Sequence, residues 1–147
     1  MKNFQYYGLF LTQESKNILT QYLQNKGYDK LIKALSNRIY LDHCTLLHYK
    51  HLNNVHNLIL REQLDKYIGD NKDRKIKIVI DAIGMTDKVF AFRINNINDL
   101  CANRTPHITI ATRNSGKPMD SNFIHYWKPI EELIIETKLK KYENRRN

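Results

Sequence analysis

Two histidines, each followed two residues later by a threonine inside an apolar run, are the chemically suggestive residues of this chain: His43-Cys44-Thr45-Leu46-Leu47 and His107-Ile108-Thr109-Ile110-Ala111. Residues i and i+2 of a β-strand share a face, so each His and Thr point together while their apolar neighbours turn into a core. Each copy has the form of half a site. In-line cleavage of a phosphodiester needs one group to accept a proton from the attacking oxygen and another to give one to the leaving oxygen, and histidine does either near neutral pH. A threonine hydroxyl beside each imidazole can hydrogen-bond a non-bridging phosphoryl oxygen and hold the phosphorus between the two rings. Threonine is common in strands, so Thr45 and Thr109 draw their case from the paired histidines. This design requires no metal. His48, His51 and His56 lie near His43 in sequence, but they lack a carboxylate or second cysteine at ligand spacing, and on a regular strand His48 faces away from His43. No metal site is expected.

The elements that position these pairs alternate between helix and sheet. Tyr6 to Leu11 reads as a strand, and Thr12-Gln13-Glu14-Ser15 approximates a capping box that opens a helix from about Gln13 to Asn25, stopped by Gly27. Its apolar stripe is Ile18, Leu19, Tyr22 and Leu23. Leu31, Ile32 and Leu35 suggest a short second helix, Ile39 to Tyr49 holds the first motif strand, and Val55, Leu58, Ile59 and Leu64 fall at helical spacing through Ile68. The polar run from Gly69 to Arg74 reads as a loop or lobe boundary. Beyond it, Lys75 to Ile80 alternates with period two, Gly84 to Asp87 forms a hairpin turn into Lys88 to Ile94, Ile108 to Thr112 carries the second motif, and Ile130 to Thr137 is the last strand. The basic residues 138–147 are expected to fray. The expected class is α+β, antiparallel sheet flanked by helices.

The chain has 147 residues, one domain's worth, and its 41% hydrophobic content suffices for a core. Twenty-four Lys and Arg against 15 Asp and Glu give a formal charge of +9, which favours polyanionic partners such as nucleotides or RNA, although a Lys- and Asn-rich composition also follows from an AT-rich genome. Cys44 and Cys101 are too few for a disulfide framework, so a reducing compartment is expected: the cytoplasm of a cell or of an infected host. Met1 to Gln5 lead straight into a strand without the apolar segment of a signal peptide, and no run of about 18 apolar residues occurs, so no membrane association is expected.

Paired His-x-Thr motifs in a small α+β chain resemble the 2H phosphoesterase superfamily. The opening Tyr6-Tyr7-Gly8-Leu9-Phe10-Leu11, the approach Asn103-Arg104-Thr105-Pro106-His107, and the loop Gly116-Lys117-Pro118-Met119-Asp120-Ser121-Asn122 are also similar to that family. The loop looks like that of viral and RNA-repair-like branches, including phage anti-CBASS phosphodiesterases, although residues 69–75 lack the aromatic that covers the nucleotide in those relatives. The resemblance implies two pseudo-symmetric lobes, each contributing one motif to a shared cleft, with His43, Thr45, His107 and Thr109 catalytic. It places the first strand beside the cleft, where Tyr7 is a candidate to stack on a base or touch phosphate, with Tyr6 on the opposite face. Lys117 is a candidate phosphate contact. Ser121 and Asn122 are candidates to read a base edge, and Glu136 to orient an imidazole or hold a base.

The leading expectation is a metal-independent, cofactor-free phosphodiesterase that cleaves a 3′-5′ linkage in a cyclic oligonucleotide messenger, acting as a monomer or small homo-oligomer. The alternatives are an RNA-end 2′,3′-cyclic phosphodiesterase or 2′-5′ oligonucleotide phosphodiesterase, and, from another class, a non-catalytic RNA-binding module.

Overall fold

The computed structural model describes residues 2–70 and 74–145. In chain order the elements are β1 (Lys2–Leu11), α1 (Gln13–Asn25), α2 (Tyr28–Leu35), β2 (Arg38–Ile39), β3 (His43–His48), α3 (Val55–Asp70), β4 (Lys75–Met85), β5 (Val89–Ile94), β6 (His107–Thr112) and β7 (Trp127–Arg145), with 3₁₀ turns at Tyr49–His51, Asn98–Leu100 and Pro118–Phe123. Among the described residues the strands form one antiparallel sheet in the order β2-β6-β5-β4-β7-β1-β3. The α+β class is as expected. The sheet is continuous, with β4 paired to β7 along its middle, and the motif strands β3 and β6 lie toward opposite ends of it.

Local chemistry explains the helical segment. Thr12 Oγ1 accepts from the Ser15 amide at 3.1 Å and caps α1, while Gly27 at φ 76° adopts the left-handed conformation that separates α1 from α2. Leu19 and Leu23 of α1 and Leu60 and Leu64 of α3 are buried. They pack with Tyr7, Leu9, Leu46, Leu47, Ile78, Ile135 and Leu139 in one core that extends under β5 and β6 to Phe92, Ile94, Ile108 and Ile110. Ile18, Val55, Leu58 and Ile59, expected on buried stripes, are exposed. Apolar residues run around α3, and the Leu60/Leu64 pair at i,i+4 is the stripe that docks.

The sheet curls until its ends meet. β2 pairs with β6, and the same chain continues through Tyr40 and Leu41, whose amides bond Ile110 O at 2.8 Å and Thr109 O at 3.0 Å, before β3 pairs with β1. Leu41 stands at φ 46°, a left-handed conformation that costs a non-glycine residue energy; burial of its side chain and the two bonds hold it there.

Two expectations are corrected. The last strand runs 19 residues, and residues 138–145, expected to fray, pair with β1 from Leu11↔Thr137 to Lys2↔Arg145. Strand pairing outweighs the lysine-rich composition because Leu139 is in the core. Of the loop expected over 69–74, Gly69 and Asp70 belong to α3, and 71–73, like 146–147, lie outside the described residues.

Leu139→Ala should destabilise the protein by about 2–4 kcal/mol, read from the denaturant midpoint, as for a buried leucine. A frayed tail predicts no change.

Candidate active site

β3 and β6 come from opposite halves of the sheet, and its curl sets their motifs against a common cleft of about 520 Å³. His43, Thr45, His107 and Thr109 all line it, together with Tyr6, Tyr40, Asp42, His48, Lys50, Asn103 and Asn122. The parity argument holds within β3: Cys44 is buried beneath His43 and Thr45.

Each imidazole is oriented through Nδ1. His107 Nδ1–H donates to the Thr105 carbonyl at 2.9 Å, which leaves the lone pair on Nε2. His43 Nδ1–H faces Asp42 Oδ2 at 3.4 Å, and its Nε2 lies 3.2 Å from the Thr45 hydroxyl. Asp42 is shared with Lys16, whose ammonium is 3.2 Å from Oδ1. Burial pushes both histidines below the ordinary value of 6.5, more than Asp42 raises His43 or Thr105 raises His107; the charge of His43 lowers His107 further. Both rings are therefore predominantly neutral at pH 7.

The segment after β6 supports the second motif. Thr109 Oγ1 donates to the Pro118 carbonyl at 3.2 Å and lies 2.9 Å from Ser121 Oγ. Ser121 is 1% exposed, so its hydroxyl positions Thr109 instead of lying open to a base edge. The turn at Pro118–Phe123 packs over β5 and β6 and buries Thr109, while Ile108 and Ile110 are buried in the main core, so that β6 is buried on both faces. Gly116 allows this approach, since a Cβ there would fall 2.2 Å from the Lys88 carbonyl oxygen. Val89, Ala91 and Ile124 form a small second cluster, and Trp127 packs against it, partly buried.

The other candidates are distributed unevenly. Asn122 lines the cleft, whereas Lys117 is exposed outside it, its amide bonded to Asp120. Tyr7 is fully buried on the core face and its hydroxyl donates to Asp65 Oδ1, so it is not available to a ligand in the cleft. Tyr6, on the opposite parity, takes that place and stacks on His43 with ring centroids 5.1 Å apart. The alternation was readable: Tyr7, Leu9 and Leu11 form the apolar set, leaving Tyr6, Gly8 and Phe10 on the cleft side. Glu136 lies in mid-β7 opposite Lys77, 3.9 Å from the Lys75 ammonium and away from both imidazoles.

His48 also departs from expectation. The pairs Tyr7↔Leu47 and Gly8↔Thr45 leave Leu46 as the extra residue of a β-bulge, so Leu46 and Leu47 are both buried and His48 returns to the cleft face. His43, His48 and His51 thus share the cleft, but among the described residues no three His, Cys, Asp or Glu side chains converge as a metal-binding group. Met119 and Phe123, each 61% exposed, line the mouth; exposed side chains in a 3₁₀ turn carry no sequence periodicity to mark them.

Two His-x-Thr pairs facing one cleft across a curled antiparallel sheet define a phosphodiesterase of the 2H phosphoesterase type. The family model described as the fungal tRNA ligase phosphodiesterase domain matches residues 1–143, and the chain belongs to that family. Among solved structures it is similar in fold to a protein described as a fungal RNA kinase, with TM-score 0.68 and 15% identity over 95% of this chain and 46% of that one. The chain therefore spans less than half of that protein's length. No curated protein matches its sequence.

An NMR titration of the imidazoles should give midpoints below 6.5 for both His43 and His107, and His43→Ala should move the His107 midpoint upward by removing a positive neighbour. A His107 midpoint above 6.5 in the wild type contradicts the buried, uncharged ring.

Proposed function

We propose that this chain opens the 2′,3′-cyclic phosphate at an RNA 3′ end by water attack, using His43 and His107 as the proton-transfer pair. The observation that carries the reading is the meeting of both His-x-Thr pairs in one cleft. One imidazole Nε2 takes a proton from water as its oxygen bonds phosphorus; the other histidine, protonated, gives a proton to the ribose oxygen as its P–O bond breaks. The products are a phosphomonoester and a free ribose hydroxyl. In this reading the Thr45 and Thr109 hydroxyls hydrogen-bond the non-bridging oxygens, Thr45 after turning its proton away from His43 Nε2 and Thr109 after turning its proton away from Pro118.

Membership of a tRNA ligase phosphodiesterase family supports an RNA end as substrate more than the cyclic oligonucleotide messenger first expected, and an enzymatic family leaves the non-catalytic RNA-binding module without support. The RNA-like substrate class is common to the enzymatic readings and agrees with the net charge of +9.

His43→Ala and His107→Ala should each lower kcat/KM for a nucleoside 2′,3′-cyclic phosphate by about 10²- to 10⁴-fold, with circular dichroism unchanged and wild-type activity retained in EDTA. Full activity of either variant overturns the assignment. The pH dependence has a definite sign. The acid must be protonated, and its free-enzyme pKa is depressed, so kcat/KM should fall as pH rises through a value below 6.5. A profile still rising between pH 6.5 and 8 contradicts it.

A further inference from the structure

Among the described residues, α1 and α3 pack on the core face of β1, β3 and β7. On the other face, beside His43, lie three rings in a row. Phe10 stacks on His43 at 5.0 Å, His43 on Tyr6 at 5.1 Å, and Tyr6 on Tyr142 at 5.1 Å, with interplanar angles of 18° to 26°. Tyr142 is 44% exposed and lies beyond the residues that line the cleft.

The same face is basic. Strand parity puts Lys140 and Lys138 of β7 in line with Tyr142, opposite Gly8 and Phe10, and Lys75 and Lys77 alongside on β4. Lys75 pairs directly with Lys138 across the strands, an arrangement of like charges that disfavours the free sheet. Glu136 offsets part of it, at 3.9 Å from Lys75. Lys140 lies 6.0 Å from the Phe10 ring centre. Exposed aromatics on a solvated sheet face, interleaved with lysines, stack unpaired bases and neutralise phosphates.

Resting on the RNA-end reading, we propose that this face, centred on Tyr6 and Tyr142 with Lys138 and Lys140, is a binding platform for the single-stranded nucleotides that precede the cyclic phosphate. The substrate is then an oligonucleotide end, with its terminal ribose in the cleft and its upstream bases on β1 and β7. The charge is spread across two strands, β4 and β7, beyond the cleft, where a mononucleotide or a compact cyclic dinucleotide does not reach it.

The test separates platform from catalysis by measuring binding of a fluorescein-labelled single-stranded RNA decamer ending in an ordinary 3′-hydroxyl, by anisotropy across a salt series. Tyr142→Ala should weaken binding about 10-fold. Lys138→Gln with Lys140→Gln should also weaken it and reduce the slope of log K against log salt by about 1. Thermal melts establish that each variant is folded, and the lysine pair, with its side chains toward solvent, is the control should Tyr142→Ala unfold. In turnover, the wild type should show a lower KM for a decamer 2′,3′-cyclic phosphate than for the mononucleoside, and Tyr142→Ala should narrow that ratio. Equal decamer affinity in wild type and folded variants overturns the platform, as does equally tight binding of a blunt RNA duplex or equal KM for decamer and mononucleoside. Platform binding without turnover of any 2′,3′-cyclic phosphate supports the platform and overturns the proposed reaction alone.

Discussion

The left-handed turn at Leu41 is the constraint on which the active site depends. Without it, the chain from Arg38 to His48 is a single edge strand and can pair with β6 or with β1, but not with both. With it, Tyr40 and Leu41 bond the Ile110 and Thr109 carbonyls on one side, and Asp42 O accepts from the Leu11 amide at 2.9 Å on the other. The first motif begins at the next residue. Backbone hydrogen bonds to Thr109 itself thus set the distance between the motifs, so neither imidazole relies on a flexible loop for its place. The bulge at Leu46 then spends one residue of β3 on the core and returns His48 to the cleft.

The cleft's electrostatics follow from this closure. Burying both histidines, His107 on β6 under the turn at Pro118–Phe123 and His43 against Tyr6 and Phe10, removes water from each, and that outweighs the stabilisation that Asp42 and the Thr105 carbonyl give their charged forms. The protein tolerates the arrangement by leaving both rings neutral, each tautomer selected by its Nδ1 partner. Asp42 is itself tied to Lys16, so its charge is divided between a lysine and an imidazole and His43 is not simply drawn into the protonated state.

Much of this was legible from local signals. The Thr12 cap, the Gly27 stop, the turn before Val89 and the parity of His43 and Thr45 each depend on a few neighbouring residues, and each is as read. What was missed depends on partners distant in sequence. The end of β7 carries Lys138, Lys140 and Lys141 and looks like a tail until β1 supplies nine paired positions. Regular alternation puts His48 on the face opposite His43, and the bulge that reverses this leaves no mark in the sequence. Tyr7 differs, because the aliphatic parity of Leu9 and Leu11 is a local signal that already puts its ring in the core. Glu136 shows a limit of strand parity, which gives a face but not a neighbour: the face it shares holds Lys75, and the carboxylate pairs there.

On the proposed chemistry, a neutral pair of histidines is also what lets an anionic substrate complete the catalyst. In the free cleft, burial opposes protonation of either ring, and the charge of one opposes that of the other. A phosphodiester seated between them adds a negative charge in the same low-dielectric space, which favours one imidazolium and, through the repulsion between the rings, disfavours a second. Binding therefore drives the site toward one acid and one base, the state that in-line transfer needs. The two threonines fix where that charge lies, and the left-handed turn at Leu41 holds the two imidazoles across it.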